Sequence, residues 1–452
     1  MVKSSRRQNA TRASSTSGAS GSREGVRHDD QELTHSFLEM IASEAPCDER
    51  RDNATQAFEL LQLTVVQCFG AHYSLQLQGS YEQRTPLHCS DLDIVIVGPG
   101  SAAWSKRERR ETLQDLCDWI RQNCKKEGIR IAQTIYGANV PVVRLHWRPK
   151  NKNLKGPRRR TEELPPLVLD ISVGDPSRGV CDANVRKLLA SDTNNGLAMC
   201  LCRMIKAWAK VNPSVCHTHQ GGLSSFGWVL LTIFFLQRKG LLPSLEQIDE
   251  NSMRSSREPP MSRNQILQLG RSVSGDKILD LLVEIFKFFK SIPLHHQSTI
   301  SVASGSRKPG HLGCVDGWDS VPVLSVEVPS PHATGKQHGA LHVPENAARC
   351  LKSKIWRGKI MPLLCQAHAD LSRAQLTRRN WRNGDRSKSY GVAPLRKLFS
   401  RYPNAKSVEE KFGEQNFRVL SEMRFLCKIR VVIWDFGRVS RFFTEIWREF
   451  WF

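Results

Sequence analysis

The sequence lacks the features that define membrane-spanning and disulfide-stapled proteins. Its longest apolar stretch, Phe226 to Leu236, is too short for a bilayer, which needs roughly 20 apolar residues. Thirteen cysteines are present, but none forms a C-x-x-C pair at zinc-finger spacing. We therefore expect no membrane span, and free thiols in a reducing compartment.

Acidic residues are scarce, most of all at the start of the chain. Lysine and arginine number 66 against 44 aspartate and glutamate, which gives a net charge of +22. Such an excess favours a polyanionic partner, either nucleic acid or an anionic membrane surface. Residues 1–28 are rich in Ser and Arg, with Glu24 as the first acid, and lack the large apolar residues of an amphipathic presequence. We expect a disordered basic tail over residues 1–30, and the compartment stays open between nucleus, cytoplasm and an organelle.

Residues 79–97 combine a turn with an acidic strand end. Side chains alternate along a strand, so Asp91 and Asp93 point the same way while the residue between them points into the core. Two carboxylates held that close repel each other unless a cation lies between them, and hard oxygen ligands favour Mg²⁺. The alternative is an exposed strand end with a capping Asp. The Gly79-Ser80 turn, whose backbone can approach a phosphate, and Ser90 directly before the pair favour the metal site.

Gly-Ser, nine residues and then Ser-Asp-Leu-Asp resembles the signature of the DNA-polymerase-β-type nucleotidyltransferases. The likeness is greatest to the template-independent branch of atypical poly(A) polymerases and terminal uridylyltransferases. It implies an α+β fold, with a mixed sheet flanked by helices and a helical poly(A)-polymerase-like central domain. It also implies a third acid on a neighbouring strand. Asp170, the one charge in the apolar run Leu167 to Ser172, takes that place, although alone it would indicate a strand-end charge.

The chain length suits two or three domains, and the motifs set their predicted boundaries. After the tail we expect helices packing with the central domain (31–70), the nucleotidyltransferase catalytic domain (71–180), the helical nucleotide-recognition domain (181–365) and a basic, aromatic-containing extension (366–452). Basic groups with aromatic rings in the extension suit single-stranded RNA, and a merely solvated segment explains them equally well.

Two further segments resemble nucleotide-binding motifs of the same family. In K-A-W-A-K, Lys206 and Lys210 share one helix face, for which solvent exposure is the usual explanation. In G-G-L-S-S-F, serines before a helix are ordinary N-caps. The resemblance instead implies that both lysines reach the triphosphate, that Ser225 contacts the phosphates and that Phe226 stacks on the base.

Three places depart from the family pattern. Family members usually have Thr-Gly three and four residues after the Ser of Gly-Ser, where this chain has Gln83 and Arg84. The late I-E-D-P…N-x-x-R segment is degraded, with Val328 in place of its Asp. Uridine-adding relatives carry a His directly before the Asn of that segment. Glu345 stands there in this chain, which leans towards ATP as the donor.

The predicted reaction is attack by an RNA 3′-hydroxyl on the α-phosphorus of ATP or UTP, with release of pyrophosphate. The resemblance implies that Asp91, Asp93 and Asp170 hold two Mg²⁺ ions, with Mn²⁺ as the alternative metal. The predicted nucleotide-binding set is Gly79, Ser80, Ser90, Lys206, Lys210, Ser225 and Phe226.

The expected partners are an RNA 3′ end, a nucleoside triphosphate and, for RNA selection, an RNA-binding protein, with no membrane. Two rival hypotheses stay open. One is nucleotidyl transfer to another acceptor, as in 2′-5′ oligoadenylate synthesis. The other is an inactive RNA-binding scaffold of the same fold, against which all three carboxylates argue.

Overall fold

The structure is a computed structural model. It describes residues 21–149, 164–174, 177–194, 196–248, 261–269, 273–294, 298–310, 312, 323–329, 345–382 and 399. Among these residues, no helix combines the length and the apolar character that a membrane crossing requires. Residues 1–20 of the predicted tail and most of the predicted extension lie outside the described residues.

A mixed five-stranded sheet organises residues 48–173, which we call the sheet half. Its strands are β1 (Ser74–Gln78), β2 (Leu92–Val97), β3 (Ile129–Ile135), β4 (Val142–Trp147) and β5 (Leu167–Val173). The spatial order is β1-β2-β5-β4-β3, with β2 and β5 parallel and the other neighbours antiparallel. Burial alternates along β4 and β5, so one face of each strand packs on the core and the other stays accessible.

Helices cover the sheet and build the second part of the chain. They are α1 (Gly21–Glu44), α2 (Asp48–Phe69), α3 (Gly79–Glu82), α4 (Lys106–Asn123), α5 (Ser177–Ala190), α6 (Leu197–Val211), α7 (Pro213–Cys216), α8 (Ser225–Arg238), α9 (Arg263–Gln268), α10 (Gly275–Ser291), α11 (Ser353–Ile355) and α12 (Met361–Arg382). In α4, Ser105 and Glu108 form a capping box at the start, and Leu113, Leu116 and Ile120 pack on the sheet.

Residues 177–382 form the helical half, which has its own apolar core. The middle of α8 is buried on all sides, as expected for an apolar run too short to span a membrane. Trp208 of α6 meets Trp228 of α8 and Phe286 of α10 edge to face, with ring centroids 5.4 and 5.0 Å apart. Such pairs contribute about 0.5–1.5 kcal/mol each beyond burial. The core therefore locks α6 against α8, the two helices that carry predicted nucleotide contacts.

A small second sheet completes the helical half and was not predicted. Its strands are β6 (Ser298–Ser301), β7 (Ser306–Pro309) and β8 (Ser325–Glu327), in the order β7-β6-β8. The predicted mixed α+β architecture is confirmed. Two of the predicted domain boundaries, however, do not coincide with the boundaries between the packed cores. Within residues 31–70, α1 joins the helical core whereas α2 joins the core of the sheet half. The boundary at residue 365 falls inside α12, which packs on α10.

Candidate active site

Two neighbouring parallel strands bring the three predicted carboxylates together. Asp93 of β2 lies directly opposite Asp170 of β5 in the strand register. Asp91 comes two residues before Asp93 and so faces the same side of the sheet. The alternate residue Leu92 is 1% exposed, which anchors the opposite face in the core. We call Asp91, Asp93 and Asp170 the acidic trio.

A cation that the sequence analysis did not single out lies against this trio. Arg144 is the register partner of Asp170 on β4, and its Nε and Nη2 donate to both oxygens of Asp170 at 2.8 and 2.6 Å. The same Nη2 lies 4.0 Å from Oδ2 of Asp91. Asp170 therefore faces the other two acids and not the opposite side of the sheet. The sequence held a signal for this residue, because Arg144 is the one charge in the apolar stretch Ala138 to Leu145.

Asp93 has the least favourable electrostatic position of the three. Burial raises the pKa of Asp93 to about 7, and the charges of Asp91, Asp170 and Asp182 add to this effect while Lys206 opposes it. A cation placed beside this carboxyl group would favour the ionised form, because it would offset the like charges around it.

Gly79 contacts Asp93 so closely that no other residue fits. Its φ is +65°, and a Cβ at this position would collide with the carboxylate of Asp93. Its N–H donates to Oδ2 of Asp182 at 2.7 Å, and the side-chain amide of Gln83 donates to Oδ1 at 2.6 Å. Burial raises the pKa of Asp182. Nothing in the sequence marked this fourth acid, since it lies in helix α5 without a motif around it.

Residues 79–90, which we call the phosphate loop, depart from the family pattern at a conformationally special point. Arg84 has a φ of 62°, the left-handed region that glycine adopts without strain. Its carbonyl accepts a hydrogen bond from Nη2 of Arg203 at 3.2 Å, and the carbonyl of Thr85 accepts one from Nζ of Lys206 at 3.0 Å. Helix α6 therefore holds the loop through the buried side chains of Arg203 and Lys206. These contacts explain how a chain without the usual Thr-Gly keeps the loop folded.

The two serines of the phosphate loop differ in accessibility. Ser80 is half-buried in α3 beside the acidic trio. Ser90 is 1% exposed, and its Oγ accepts the N–H of Leu87 at 2.9 Å. Their nucleotide contacts stay predictions, and Ser90 would need a rearrangement of the loop to make one.

The two predicted lysines of α6 also occupy different environments. Lys206 is 3% exposed, and burial lowers its pKa to about 7, with Lys210 adding to the shift and Asp93 opposing it. Its Nζ lies under the loop at Thr85. Lys210, one turn further along, is half-buried. Of the two, Lys210 is the better placed to meet a ligand in this conformation.

The start of α8 follows the predicted capping pattern. Ser224 is the N-cap, and its Oγ accepts the N–H of Gly227 at 3.0 Å. Ser225 and Phe226 begin the helix and are half-buried, with Phe226 packed against the helical core. Among the described residues no hydrogen bond joins them to the acidic trio.

The degraded late segment is assembled in space despite its insertion. Asn346 is buried, its Oδ1 accepts the N–H of Val326 at 3.0 Å, and its Nδ2 donates to the carbonyl of Leu324 at 3.0 Å. The N–H of Val328 donates to the carbonyl of Glu345. The two halves of the segment therefore form one surface, with the Glu345 side chain exposed on it.

The acidic trio suits a divalent cation by charge, although its present partners matter. No three His, Cys, Asp or Glu side chains in the described ranges are spaced to hold a metal ion as they stand. Both oxygens of Asp170 already accept hydrogen bonds from Arg144. The three carboxylates and the raised pKa of Asp93 fit a hard dication, which Asp170 would take in exchange for the guanidinium.

Comparisons with known proteins agree with this fold. Residues 33–154 match the family model described as the central palm domain of mitochondrial-like poly(A) RNA polymerase. Among curated protein sequences, none matches this chain. The Cid1 poly(U) polymerase with bound MgGTP superposes with a TM-score of 0.54 at 16% identity, over 82% of this chain and 99% of that one.

Two further solved structures have the same architecture. Terminal uridylyl transferase 4 from Trypanosoma brucei with bound dUTP gives a TM-score of 0.52 at 17% identity, over 76% of this chain and 98% of its own. The structure of mtPAP with UTP gives 0.51 at 13% identity, over 82% and 73%. The chain has the nucleotidyltransferase fold. The resemblance predicted from the Gly-Ser and Ser-Asp-Leu-Asp motifs is confirmed, and the part that matches the palm-domain model, residues 33–154, includes most of the sheet half.

Proposed function

We propose that this protein is a template-independent RNA nucleotidyltransferase that adds AMP or UMP to an RNA 3′ end and releases pyrophosphate. One observation carries the proposal. Asp93 and Asp170 are paired across parallel strands, and the guanidinium of Arg144 spans Asp170 and Asp91. Three carboxylates within reach of one cation are what metal-assisted phosphoryl transfer needs.

The acidic trio would hold Mg²⁺, or Mn²⁺ as the alternative. When bound, the metal lowers the pKa of the attacking hydroxyl and offsets the charge of the leaving pyrophosphate. Asp170 would accept the proton of the RNA 3′-hydroxyl once Arg144 releases it. In Cid1 the bound nucleotide carries magnesium, which supports the choice of metal.

The protein's own residues would orient the triphosphate. Gly79 lets the backbone of the phosphate loop lie directly against Asp93, because it has no side chain. Ser80, Lys210 and Ser225 are the predicted phosphate contacts that remain accessible, and Phe226 would stack on the base, which contributes about 1–3 kcal/mol with little regard to base identity. Holding the α-phosphorus in line with the hydroxyl is the main contribution of such contacts.

Glu345 supports ATP over UTP as the donor. Its side chain is 58% exposed and lies 3.8 Å from Arg349, so its oxygens can reach a ligand. An ionised carboxylate accepts hydrogen bonds and cannot donate them. It suits the amino group of adenine and is repelled by the carbonyl oxygen at the same edge of uracil.

The test is extension of a short labelled RNA by purified protein with Mg²⁺, in four parallel reactions with one nucleotide each. We expect extension with ATP above UTP and none by Asp91→Ala or Asp93→Ala. Extension by UTP alone would overturn the donor assignment. Extension that survives Asp91→Ala would overturn the site.

One observation favours the inactive scaffold as a second candidate. Asp182 already occupies the N–H of Gly79, which the phosphate loop would otherwise offer to a phosphate. If wild type and Asp91→Ala bind RNA equally and neither extends it with any nucleotide, the scaffold is the correct function.

A further inference from the structure

A groove in the helical half combines aromatic and basic side chains, none of which belongs to the motifs described above. It has a volume of about 490 Å³ and is lined by Phe234, Phe235, Arg238, Lys239, Phe288 and Arg307. Helix α8 begins at Ser225, a predicted phosphate contact, and ends at Arg238 in the groove. At about 1.5 Å per residue, its 14 residues separate these ends by about 20 Å.

Two of the three cations in the groove lack an acidic partner among the described residues. Lys239 is paired with Glu284 at 2.6 Å. Arg238 and Arg307 are exposed and have no ion pair in the described part of the chain. Burial lowers the pKa of Arg307, and the nearby charge of Arg238 lowers it further. Two guanidinium groups that repel each other would be stabilised by an anion between them, and a phosphate matches their planar donors.

The aromatic side of the groove offers a stacking surface. Phe288 is half-buried, whereas Phe234 and Phe235 are 2% and 4% exposed beneath it. The ring centroids of Phe288 lie 6.1 and 5.7 Å from theirs. Phe288 is therefore a supported ring with one part open to the groove. A stacked base beside a phosphate-binding pair of arginines is the arrangement of a single-strand binding site.

We propose that this groove binds single-stranded RNA upstream of its 3′ end, with Arg238 and Arg307 on the phosphates and Phe288 against a base. The choice of RNA over an acidic peptide rests on the proposed function and on the open Phe288 ring. A 15-nucleotide RNA is long enough to occupy the acidic trio and the groove together. We therefore expect the groove to add affinity for this RNA and not for a trinucleotide held by its 3′ end at the trio.

The experiment measures binding of labelled 15- and 3-nucleotide RNAs by fluorescence anisotropy at several salt concentrations. We expect Arg238→Gln with Arg307→Gln to weaken 15-nucleotide binding about tenfold and to reduce the slope of log K against log salt by about 1.4, or 0.7 for each phosphate lost. Binding of the trinucleotide stays unchanged. The matched control is Lys125→Gln with Arg130→Gln, which removes the same charge from exposed positions of the sheet half.

The stacking contact has its own pair of variants. Phe288→Leu keeps an apolar side chain and should weaken 15-nucleotide binding about tenfold, whereas Phe288→Tyr keeps the ring and should stay within about twofold. The site would be overturned if the arginine pair and its control lost the same affinity for the 15-nucleotide RNA. It would also be overturned if the arginine pair left that affinity unchanged. Displacement of the RNA by a polyglutamate peptide at equal concentration would make the groove a protein-binding surface.

Failure of the site and failure of the proposed function give different results, because binding needs no catalysis. If wild type extends no RNA but the arginine pair still lowers affinity for the longer RNA, the groove stands and the enzyme proposal falls. If wild type extends RNA and the arginine pair leaves affinity and salt slope unchanged, the reverse holds. The arginine variants change exposed side chains only, so they test the site even if Phe288→Leu fails to fold.

Discussion

The acidic trio and the phosphate loop are neighbours, but they differ in how their polar groups are paired. The carboxylates of the trio repel one another, whereas the main-chain groups of the loop have hydrogen-bond partners. The trio gathers like charges and has Arg144 as its one close cation among the described contacts. In the loop, Asp182, Arg203 and Lys206 hold main-chain atoms from below. The trio is thus the place where a ligand would relieve electrostatic cost, and the loop is a support whose form is already determined by the protein.

We expect the largest loss of activity at Asp170 and a much smaller one at Asp182. Asp170→Asn removes a proposed metal ligand and should lower kcat at least about 10³-fold. Asp182→Asn keeps one hydrogen-bond acceptor for Gly79 and should cost about tenfold, mainly in KM. Steady-state extension kinetics measure both values. An equal loss in both variants would mean that the acidic site has four members and that the division from the loop is wrong.

Gly79→Ala should be the most destabilising change in the loop. It combines a positive φ with a collision at Asp93, and we expect a loss of more than about 3 kcal/mol in the free energy of unfolding. Gly240→Ala is the matched control, because its φ of +67° is similar and nothing lies within 4 Å of the added Cβ. That variant should lose only about 1 kcal/mol. Urea unfolding checks the pair, and equal losses would show that the contact with Asp93 does not matter.

The pH dependence of stability should report the acidic trio directly. The folded pKa of Asp93, about 7, exceeds its ordinary value of 3.8. The Asp93 carboxyl then binds its proton more tightly in the folded protein than in the unfolded chain. Its contribution to the free energy of unfolding therefore falls as pH rises from about 4 to 7. Relative to Asp93→Asn, metal-free wild type should lose about 2–4 kcal/mol across that window.

The control for this measurement is Asp118→Asn, which changes an exposed carboxylate paired with Arg121. Its pH profile should follow that of wild type. If Asp93→Asn also follows wild type between pH 4 and 7, the crowding of negative charge around Asp93 is absent in solution.

A smaller effect should distinguish the two lysines. Lys206→Met leaves the carbonyl of Thr85 without its buried donor and should cost about 1–3 kcal/mol in the free energy of unfolding. Lys210→Met should leave stability within about 0.5 kcal/mol and raise the KM for the nucleotide several-fold. Thermal unfolding and extension kinetics on both variants suffice. The reverse pattern would make Lys206 the phosphate ligand, and a raised KM in both variants would agree with the family resemblance, which implies that both lysines reach the triphosphate.

Strand alternation predicted that Asp91 and Asp93 share one face of the sheet. Asp170 was assigned through the family resemblance, because alone it would indicate a strand-end charge. Like Asp170, Arg144 is the one charge in an apolar run, but it belonged to no motif. The buried α8 followed from its apolar run, whereas the mixed sheet followed from the family resemblance.

The supports of the loop were beyond the reach of those patterns. Asp182 and Gly79 are about a hundred positions apart, as are Arg203 and Arg84, and only the folded chain brings each pair together. The burial of Ser90 and Lys206 had the same origin. The local sequence around a polar residue near a motif is the same whether its side chain contacts a ligand or a carbonyl of its own chain.

Under the proposed function, Arg144 would make the site discriminate between monovalent and divalent ions. A sodium or potassium ion brings Asp170 no more charge than the tethered guanidinium already supplies, and it must be drawn from solution. A doubly charged ion would bind Asp170 and Asp91 more strongly than the guanidinium and would displace it. The displaced Arg144 side chain would then be available to a polyanion.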